Sequence, residues 1–217
     1  MNKKLDFKTE QEIFWAGTFG CDYIDRNCDA KILASNTSLF ANILSKTNSI
    51  KNMIELGANV GMNLRAIKHL LPNIDMAAVE INKIAADKLK LTKDLDVYNK
   101  SILDFSTDNK YDFVLSKGVL IHINPEALKA VYDLMYKISK KYICIVEYYN
   151  PSPVSIDYRG NKDRLFKRDF AGEILDRFKN KVFLLDYGFI YHGDNNFSGD
   201  DFTWFLLEKI NLKRGVC

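Results

Sequence analysis

The sequence has few residues that bind metals, and their spacing does not suit a metal site. Its four cysteines include no C-x-x-C pair, and its three histidines lie far apart along the 217 residues. Structural zinc sites are built from closely spaced pairs of ligands, and disulfide frameworks are typical of short secreted chains. We therefore expect neither a metal site nor a disulfide framework.

Long apolar runs and concentrated charge are also missing. The chain has no apolar stretch of about 18 residues or more, the minimum for a membrane-spanning helix, and residues 1–15 contain no apolar signal segment. The net charge is +3, from 31 basic and 28 acidic residues, and the basic residues are scattered. We expect a soluble, cytoplasmic protein with no membrane partner, and the missing basic stripe argues against nucleic acid.

The composition is that of an ordinary globular protein, with 47% hydrophobic and 27% charged residues. The length suits one α/β domain, and we expect a single domain over 1–217. Apolar residues recur at helical spacing in Ala30–Leu44. We therefore predict an N-terminal helical extension or lid over 1–48 and an α/β core over 49–210.

The segment NMIELGANVG (52–61) predicts a buried strand, a glycine-rich turn and the start of a helix. A dinucleotide fingerprint starting at Gly57 would need glycines where Asn59 and Met62 stand, and the phosphate-loop pattern fails as well. What remains is E-x-G-x-x-x-G, which indicates a ligand-binding turn at the carboxyl end of a strand. A purely structural turn stays open as the alternative.

Two later segments extend this site toward a nucleoside. The predicted second strand, 74–82, ends in Glu80, about 20 residues beyond the turn, where a carboxylate can bind both hydroxyls of a ribose. After a third strand, Ser101 and Ile102 offer a hydroxyl and an apolar surface to a ligand. The same two residues would also suit a local turn.

Polar residues follow the next two predicted strands, where α/β enzymes gather their chemistry. Lys117 ends the fourth strand and His122 follows it, while Glu147 and Tyr149 end the fifth. A lone histidine here serves in packing more often than as a base, and both interpretations stay open.

We predict a long connecting loop after the fifth strand, at 150–170. It is locally basic, with Arg159 among several cations, and tyrosines lie between them. Long loops at a functional edge often carry recognition, and guanidinium groups among tyrosines suit an anionic or carbohydrate-like acceptor. A solvated basic loop is the alternative.

The last two predicted strands, 181–192 and 201–210, are separated by a turn-rich segment and predict an antiparallel hairpin. At the other end of the chain, Trp15 is one of several aromatic residues that surround Gly17 and Gly20. These aromatics either pack on the core or form a glycine-hinged lid over a ligand.

Several blocks together resemble a family of small methyltransferases associated with pseudaminic acid biosynthesis, over most of 11–210; they include FWAGTFGCDYIDRN, IELGANVGMNLRAIKHLLP, KGVLIHINP, VEYYNPSPVSIDYRG and DYGFIYH. The resemblance implies a Rossmann-like class I methyltransferase fold of the α/β class. Its seven-stranded, mostly parallel sheet would have the order 3-2-1-4-5-7-6 with strand 7 antiparallel. It also implies S-adenosylmethionine (SAM) as cofactor and a context of surface-glycan or nonulosonic acid metabolism. One departure is Cys21, where the family tends to carry an acidic residue.

The residues and the resemblance together define a site hypothesis. We expect Glu55, Gly57 and Gly61 at the methionine part of SAM, Glu80 at the ribose, and Ser101 and Ile102 at the adenine. The full cofactor set is Trp15, Glu55, Gly57, Ala58, Asn59, Gly61, Glu80, Ile81, Ser101, Ile102 and Lys117, and the catalytic set is His122, Glu147, Tyr149 and Arg159. In it, His122 or Glu147 would be the base and Arg159 the clamp for an acceptor anion.

Other functions remain open at this point. A methyltransferase acting on RNA or protein is one alternative, although NPSP at 150–153 follows the fifth strand and only superficially resembles the tetrapeptide of amino-methylating enzymes. A non-catalytic SAM-binding module is another, because a fold alone does not establish activity. Both a monomer and a homodimer are compatible with the sequence.

Overall fold

A mixed β-sheet lies at the centre of the molecule, with helices on both sides of it. The computed structural model describes residues 7–24 and 29–210; Cys28, Cys217 and the first six residues of the predicted extension lie outside these ranges. The strands are β1 (Asn52–Leu56), β2 (Asp75–Glu80), β3 (Leu95–Asn99), β4 (Tyr111–Lys117), β5 (Ser139–Glu147), β6 (Val154–Tyr158), β7 (Asn161–Lys167), β8 (Val182–Phe189) and β9 (Thr203–Lys209). The helices are α1 (Glu10–Ala16), α2 (Thr18–Ile24), α3 (Ala30–Leu44), α4 (Met62–Leu70), α5 (Lys83–Leu89), α6 (Leu128–Ile138) and α7 (Phe170–Arg177), with short 3-10 turns at Leu120–His122 and Pro125–Ala127.

The main sheet has seven strands in the order β3-β2-β1-β4-β5-β9-β8. Strands β1 to β5 are parallel, and β9 runs antiparallel to both of its neighbours, β5 and β8. The predicted order is therefore confirmed, with the terminal hairpin inserted as expected. The central strands are apolar on both faces because helices cover both, as in β4, where Phe113, Val114 and Leu115 are fully buried.

The N-terminal region is helical, as predicted, and its first helix begins at a capping box. The Thr9 hydroxyl accepts from the backbone N–H of Glu12, and the Glu12 carboxylate accepts from the backbone N–H of Thr9. Helix α3 begins at Asp29, whose side chain accepts from the N–H of Lys31. No helix within 7–24 or 29–210 is long and apolar enough to cross a membrane.

The prediction of a long connecting loop at 150–170 is wrong for most of this segment. Most of 150–170 folds into a two-stranded antiparallel hairpin, β6 and β7, separate from the main sheet. Arg159 and Gly160 form its turn, both with left-handed backbone angles (φ 50° and 81°). The five residues of β6, VSIDY, alternate apolar and polar side chains, which is a strand signal that the loop prediction overlooked. The turn itself has no clear signal, because an arginine at a left-handed turn position is uncommon.

The strand order predicts where leucine truncation destabilises the protein. Leu206 lies in β9 between two strands and is 0% exposed, whereas Leu184 lies in the edge strand β8 and is 39% exposed. We expect Leu206→Ala to lower the free energy of unfolding by about 2–5 kcal/mol, and Leu184→Ala by roughly 1 kcal/mol or less. Urea unfolding of both variants measures this, and equal losses would contradict the central placement of β9.

Candidate active site

A cavity of about 580 Å³ opens above the carboxyl ends of β1, β2 and β4, under the N-terminal helices. Eleven predicted site residues line it: Trp15, Gly57, Ala58, Asn59, Glu80, Ile81, Ser101, Ile102, Lys117, His122 and Arg159. Glu55, Gly61, Glu147 and Tyr149 are not among the lining residues. The structure thus brings the predicted turn, strand-end and hairpin residues together around one space.

The glycine turn between β1 and α4 is packed too tightly for side chains. Gly57 has a φ of 79°, and a Cβ there would lie 2.5 Å from a methyl carbon of Val119 in the loop after β4. Gly61 has a φ of 80°, and a Cβ there would lie 2.8 Å from Leu89. Glycine is required at both positions because the backbone is left-handed and approached closely. The cavity consequently meets bare backbone at Gly57.

Glu55 is buried beside this turn and is incompletely satisfied. Its Oε1 accepts a 2.6 Å hydrogen bond from Asn63 Nδ2, while Glu55 Oε2 and Asn63 Oδ1 are buried without any described partner. Burial raises the pKa of Glu55 to about 8, against the opposing effects of Asn63 and the Lys117 charge. Two buried oxygens without a described partner therefore lie next to the glycine turn, one of them on the cavity-lining Asn63.

Glu80 joins the turn to the start of α5. Its Oε2 accepts from the backbone N–H of Asn59 and its Oε1 from that of Asn82, both at 2.7 Å. Asn82 in turn caps α5 through its own side chain. Burial raises the pKa of Glu80, opposed by these hydrogen bonds. The carboxylate at the end of β2 is thus held in place at the cavity wall.

Lys117 brings a positive charge to the cavity at the end of β4. Its Nζ lies 5.2 Å from the centre of the Phe202 ring, and burial lowers its pKa, against the nearby charges of Asp200, Glu55 and Glu147. Within the described part of the chain, no carboxylate lies within ion-pair distance of this Nζ. Lys117 is therefore available to a negatively charged or polar ligand group.

His122 follows β4 and is fixed by one strong hydrogen bond. Its Nδ1 lies 2.6 Å from the backbone carbonyl oxygen of Arg164 in β7. Burial lowers the pKa of His122 to about 4, with a smaller opposing effect from that carbonyl. The ring is therefore neutral at physiological pH.

Glu147 lies beneath the loop after β4 and does not reach the cavity. Its Oε1 accepts from the Ser116 hydroxyl and from the N–H groups of Val119 and Leu120, all at 3.0 Å, and Oε2 accepts from the N–H of Ile121. Burial raises its pKa to about 7, opposed by these bonds. The structure therefore gives Glu147 the geometry of a loop support, not of a base.

Tyr149 is also remote from the cavity. It is 42% exposed, and its ring packs at 5.9 Å from that of Phe205 on the sheet. Arg159, by contrast, lines the cavity from the hairpin turn, with its guanidinium 5.9 Å from the Tyr158 ring. Of the two, only Arg159 is positioned to meet a ligand.

The aromatic residues of the N-terminal helices cover one side of the cavity. The Trp15 ring lies 4.4 Å from His122, 5.4 Å from Tyr23 and 6.2 Å from Tyr158. These aromatics pack on one another while also lining the cavity, so the core-packing and covering interpretations are compatible.

Several lining residues were missed from the sequence, among them Asn63, Asp200 and Phe202. Tyr23 and Tyr158 also line the cavity; the sequence marked them as part of the N-terminal aromatic group and of the tyrosine-containing basic segment, without assigning them to the site. Asn63 could have been suspected, because it follows the glycine turn in the first turn of α4 and so lines the same cavity. Tyr158 depends on the hairpin that was not predicted. Asp200 and Phe202 belong to the segment between β8 and β9, and no local pattern shows that it folds back over the cavity.

Comparisons with known proteins support the fold of the chain. No protein-family model matches it, and no curated protein sequence does. Among solved structures it is similar to the plantazolicin methyltransferase BpumL in complex with S-adenosylhomocysteine (SAH), with a TM-score of 0.64, 13% identity and coverage of 93% of this chain and 94% of that one. It is likewise similar to magnesium protoporphyrin IX methyltransferase (ChlM) from Synechocystis PCC 6803 with bound SAM, with a TM-score of 0.62, 14% identity and coverage of 97% and 100%.

A third similar structure is the N-methyltransferase NodS from Bradyrhizobium japonicum WM9 in complex with SAH, with a TM-score of 0.61, 14% identity and coverage of 88% and 98%. The chain therefore has the Rossmann-like fold of class I SAM-dependent methyltransferases. These similarities do not confirm the narrower resemblance to the family associated with pseudaminic acid.

The buried Glu55 predicts a pH-dependent stability. Its pKa is raised on folding, so the protein is most stable with Glu55 protonated, below pH 4.5, and loses this contribution as the pH rises toward 8. We expect Glu55→Gln, which mimics the protonated form, to increase the free energy of unfolding relative to the parent by roughly 2–4 kcal/mol more at pH 8 than at pH 5. Urea unfolding at both pH values, without ligand, measures this; a constant difference between the two proteins would contradict it.

Proposed function

We propose that this protein is a SAM-dependent methyltransferase that acts in the cytoplasm on a small acceptor, anionic or sugar-like, in surface-glycan or nonulosonic acid metabolism. The single observation that carries the cofactor assignment is the pair of unsatisfied buried oxygens, Glu55 Oε2 and Asn63 Oδ1, beside the glycine turn. The two oxygens have no hydrogen-bond donor among the described residues, and the ammonium group of SAM can supply one to each, because it carries three N–H donors. The fold supports the same assignment.

The remaining residues fit the rest of SAM. Gly57 offers uncovered backbone to the methionine part, and the fixed Glu80 carboxylate suits the two hydroxyls of a ribose. Ser101 and Ile102 line the cavity beyond Glu80, where they suit an adenine ring. When bound, SAM supplies a methyl group on a sulfonium sulfur, which keeps the bonding electron pair when the methyl is transferred.

The protein's own task is to position the acceptor and accept its proton. Trp15, Tyr23 and Tyr158 offer flat apolar surfaces to a ring, and Arg159 and Lys117 offer positive charges to an acidic group. The neutral His122 has a free ring nitrogen that can accept a proton from a hydroxyl. Holding the reacting groups in line can by itself supply several kcal/mol of the rate enhancement.

Glu80 tests the cofactor assignment. We expect Glu80→Gln to weaken SAH binding roughly tenfold to a hundredfold, because charge-assisted hydrogen bonds to the ribose hydroxyls are lost. Isothermal titration calorimetry measures the affinity, with the exposed Glu126→Gln as a matched control expected to bind like the parent protein. Unchanged SAH affinity in a folded Glu80→Gln protein would overturn the ribose assignment.

Arg159 tests the acceptor side. A panel of sugar nucleotides and small acidic sugars, assayed for SAH production, should contain an acceptor that raises turnover above the background without acceptor. For that acceptor, we expect Arg159→Ala to raise KM roughly tenfold or more, through loss of a charge-assisted hydrogen bond, with SAH affinity unchanged. Tight SAH binding by the parent protein without turnover on any acceptor would favour a non-catalytic SAM-binding module. Loss of SAH binding in Arg159→Ala would show instead that Arg159 contacts the cofactor and not the acceptor.

A further inference from the structure

The β6–β7 hairpin contains a β-bulge at the point where β7 contacts the His122 ring. Pairing passes from Ile156 opposite Leu165 to Tyr158 opposite Asn161, so that 162–164 face a single unpaired residue, Asp157. Asp163 within this bulge has a left-handed φ of 54°. A β-bulge interrupts the ladder and turns backbone groups away from the partner strand. Here it frees the carbonyl groups of two successive residues, Asp163 and Arg164.

The Arg164 carbonyl selects one tautomer of His122. A carbonyl oxygen only accepts hydrogen bonds, so Nδ1, at 2.6 Å from it, must carry the ring proton. Because the ring is neutral, Nε2 then bears a lone pair. Nε2 makes no hydrogen bond to any residue in the described ranges, and the ring lines the cavity. This is the tautomer that a base acting on a cavity-bound acceptor needs.

The neighbouring carbonyl, of Asp163, is held by the N-terminal helix. It accepts from Nε2 of Gln11 in α1 and from Nη1 of Arg164, both at 3.0 Å. Gln11 is only 6% exposed, and its Oε1 lies 3.5 Å from Nδ2 of Asn124. The amide of Gln11 is therefore fixed between the bulge and the segment that follows His122.

The same helix also contacts the imidazole directly. Trp15, one turn after Gln11 in α1, packs its ring at 4.4 Å from that of His122. Helix α1 thus contacts the imidazole ring directly through Trp15. It also holds the bulge that supplies the carbonyl at Nδ1, through Gln11.

We propose that Gln11 is a positioning residue that, by holding the β6–β7 bulge, keeps His122 in the tautomer with Nε2 free to accept a proton. The inference rests on the proposed function and deepens it, since it assigns the acceptor an ionisable hydroxyl or amine hydrogen. In the reaction this proton moves to Nε2, and the acceptor atom keeps the electron pair with which it bonds the methyl carbon. The imidazolium then returns the proton to solvent from Nε2, while Nδ1 keeps its hydrogen bond to the Arg164 carbonyl.

The test reads the tautomer directly and needs no acceptor. The ¹⁵N resonances of the His122 ring distinguish a protonated from an unprotonated nitrogen, and a His122→Asn spectrum assigns them among the three histidines. The parent should show a single tautomer with the proton on Nδ1. Gln11→Leu, which keeps the bulk of the side chain but removes the amide, should move the equilibrium roughly fivefold to tenfold toward the Nε2-protonated form, the size expected for loss of one hydrogen bond.

A matched control comes from the adjacent residue of α1. Glu10 reaches the same hairpin through an ion pair with Arg164 Nη2 at 3.0 Å, but its side chain is 79% exposed, so such a pair contributes little. Glu10→Gln should therefore give the parent tautomer. Gln11→Asn, whose amide is one methylene too short to reach Asp163, should shift the tautomer as Gln11→Leu does, and it serves if the leucine variant fails to fold.

Two results would overturn the inference: a parent protein with the proton on Nε2, or Gln11 variants that are folded and keep the parent tautomer. SAH affinity, measured on the same samples, should stay within about twofold of the parent, because Gln11 acts on the acceptor side. If neither the parent nor any variant bound SAH, the proposed function would be wrong. The tautomer measurement would still test the role of Gln11, because it does not depend on SAH binding.

Discussion

The geometry of the site depends on one buried carboxylate that does not line the cavity. Glu147, at the end of β5, accepts hydrogen bonds from Ser116 and from three successive N–H groups after β4. These bonds set the path of the segment that presses Val119 against Gly57 and places His122 at the cavity. Because buried polar groups must be satisfied, this loop has little freedom to move independently of the sheet.

The strand-end patterns predicted the main sheet and the cavity-lining residues that follow β1 and β2. The apolar run before Gly57 and the position of Glu80 depend on local signals, since a buried parallel strand and a glycine turn leave clear traces in a few residues. Glu80 also shows the limit of such reasoning. Its spacing from the glycine turn indicated a role in binding a ribose. Its hydrogen bonds to the backbone of Asn59 and Asn82, however, depend on how two loops pack together, which a local sequence pattern does not predict.

The opposite side of the cavity was less predictable because it is assembled from distant segments. Trp15, His122 and Tyr158 meet through packing between the N-terminal helices, the loop after β4 and a hairpin that was expected to be a loop. Glu147 and Tyr149 follow the same strand end as the predicted chemistry, but the first is directed beneath the loop and the second toward solvent. Tyr149 lies two residues beyond the end of β5, so the alternation of side chains along the strand does not fix its direction, and no local pattern separated it from the cavity.

The insertion of β9 between β5 and β8 has a consequence for synthesis of the protein. In the described chain, β8 pairs only with β9, so it has no place in the sheet until β9 has left the ribosome. The segment between them supplies Asp200 and Phe202 to the cavity. The nascent chain therefore carries the glycine turn and Glu80 long before it can close the site. The chain must be made through β9 before the cavity exists, and a product terminated before β9 would expose the apolar edge of β5 as a surface prone to aggregation.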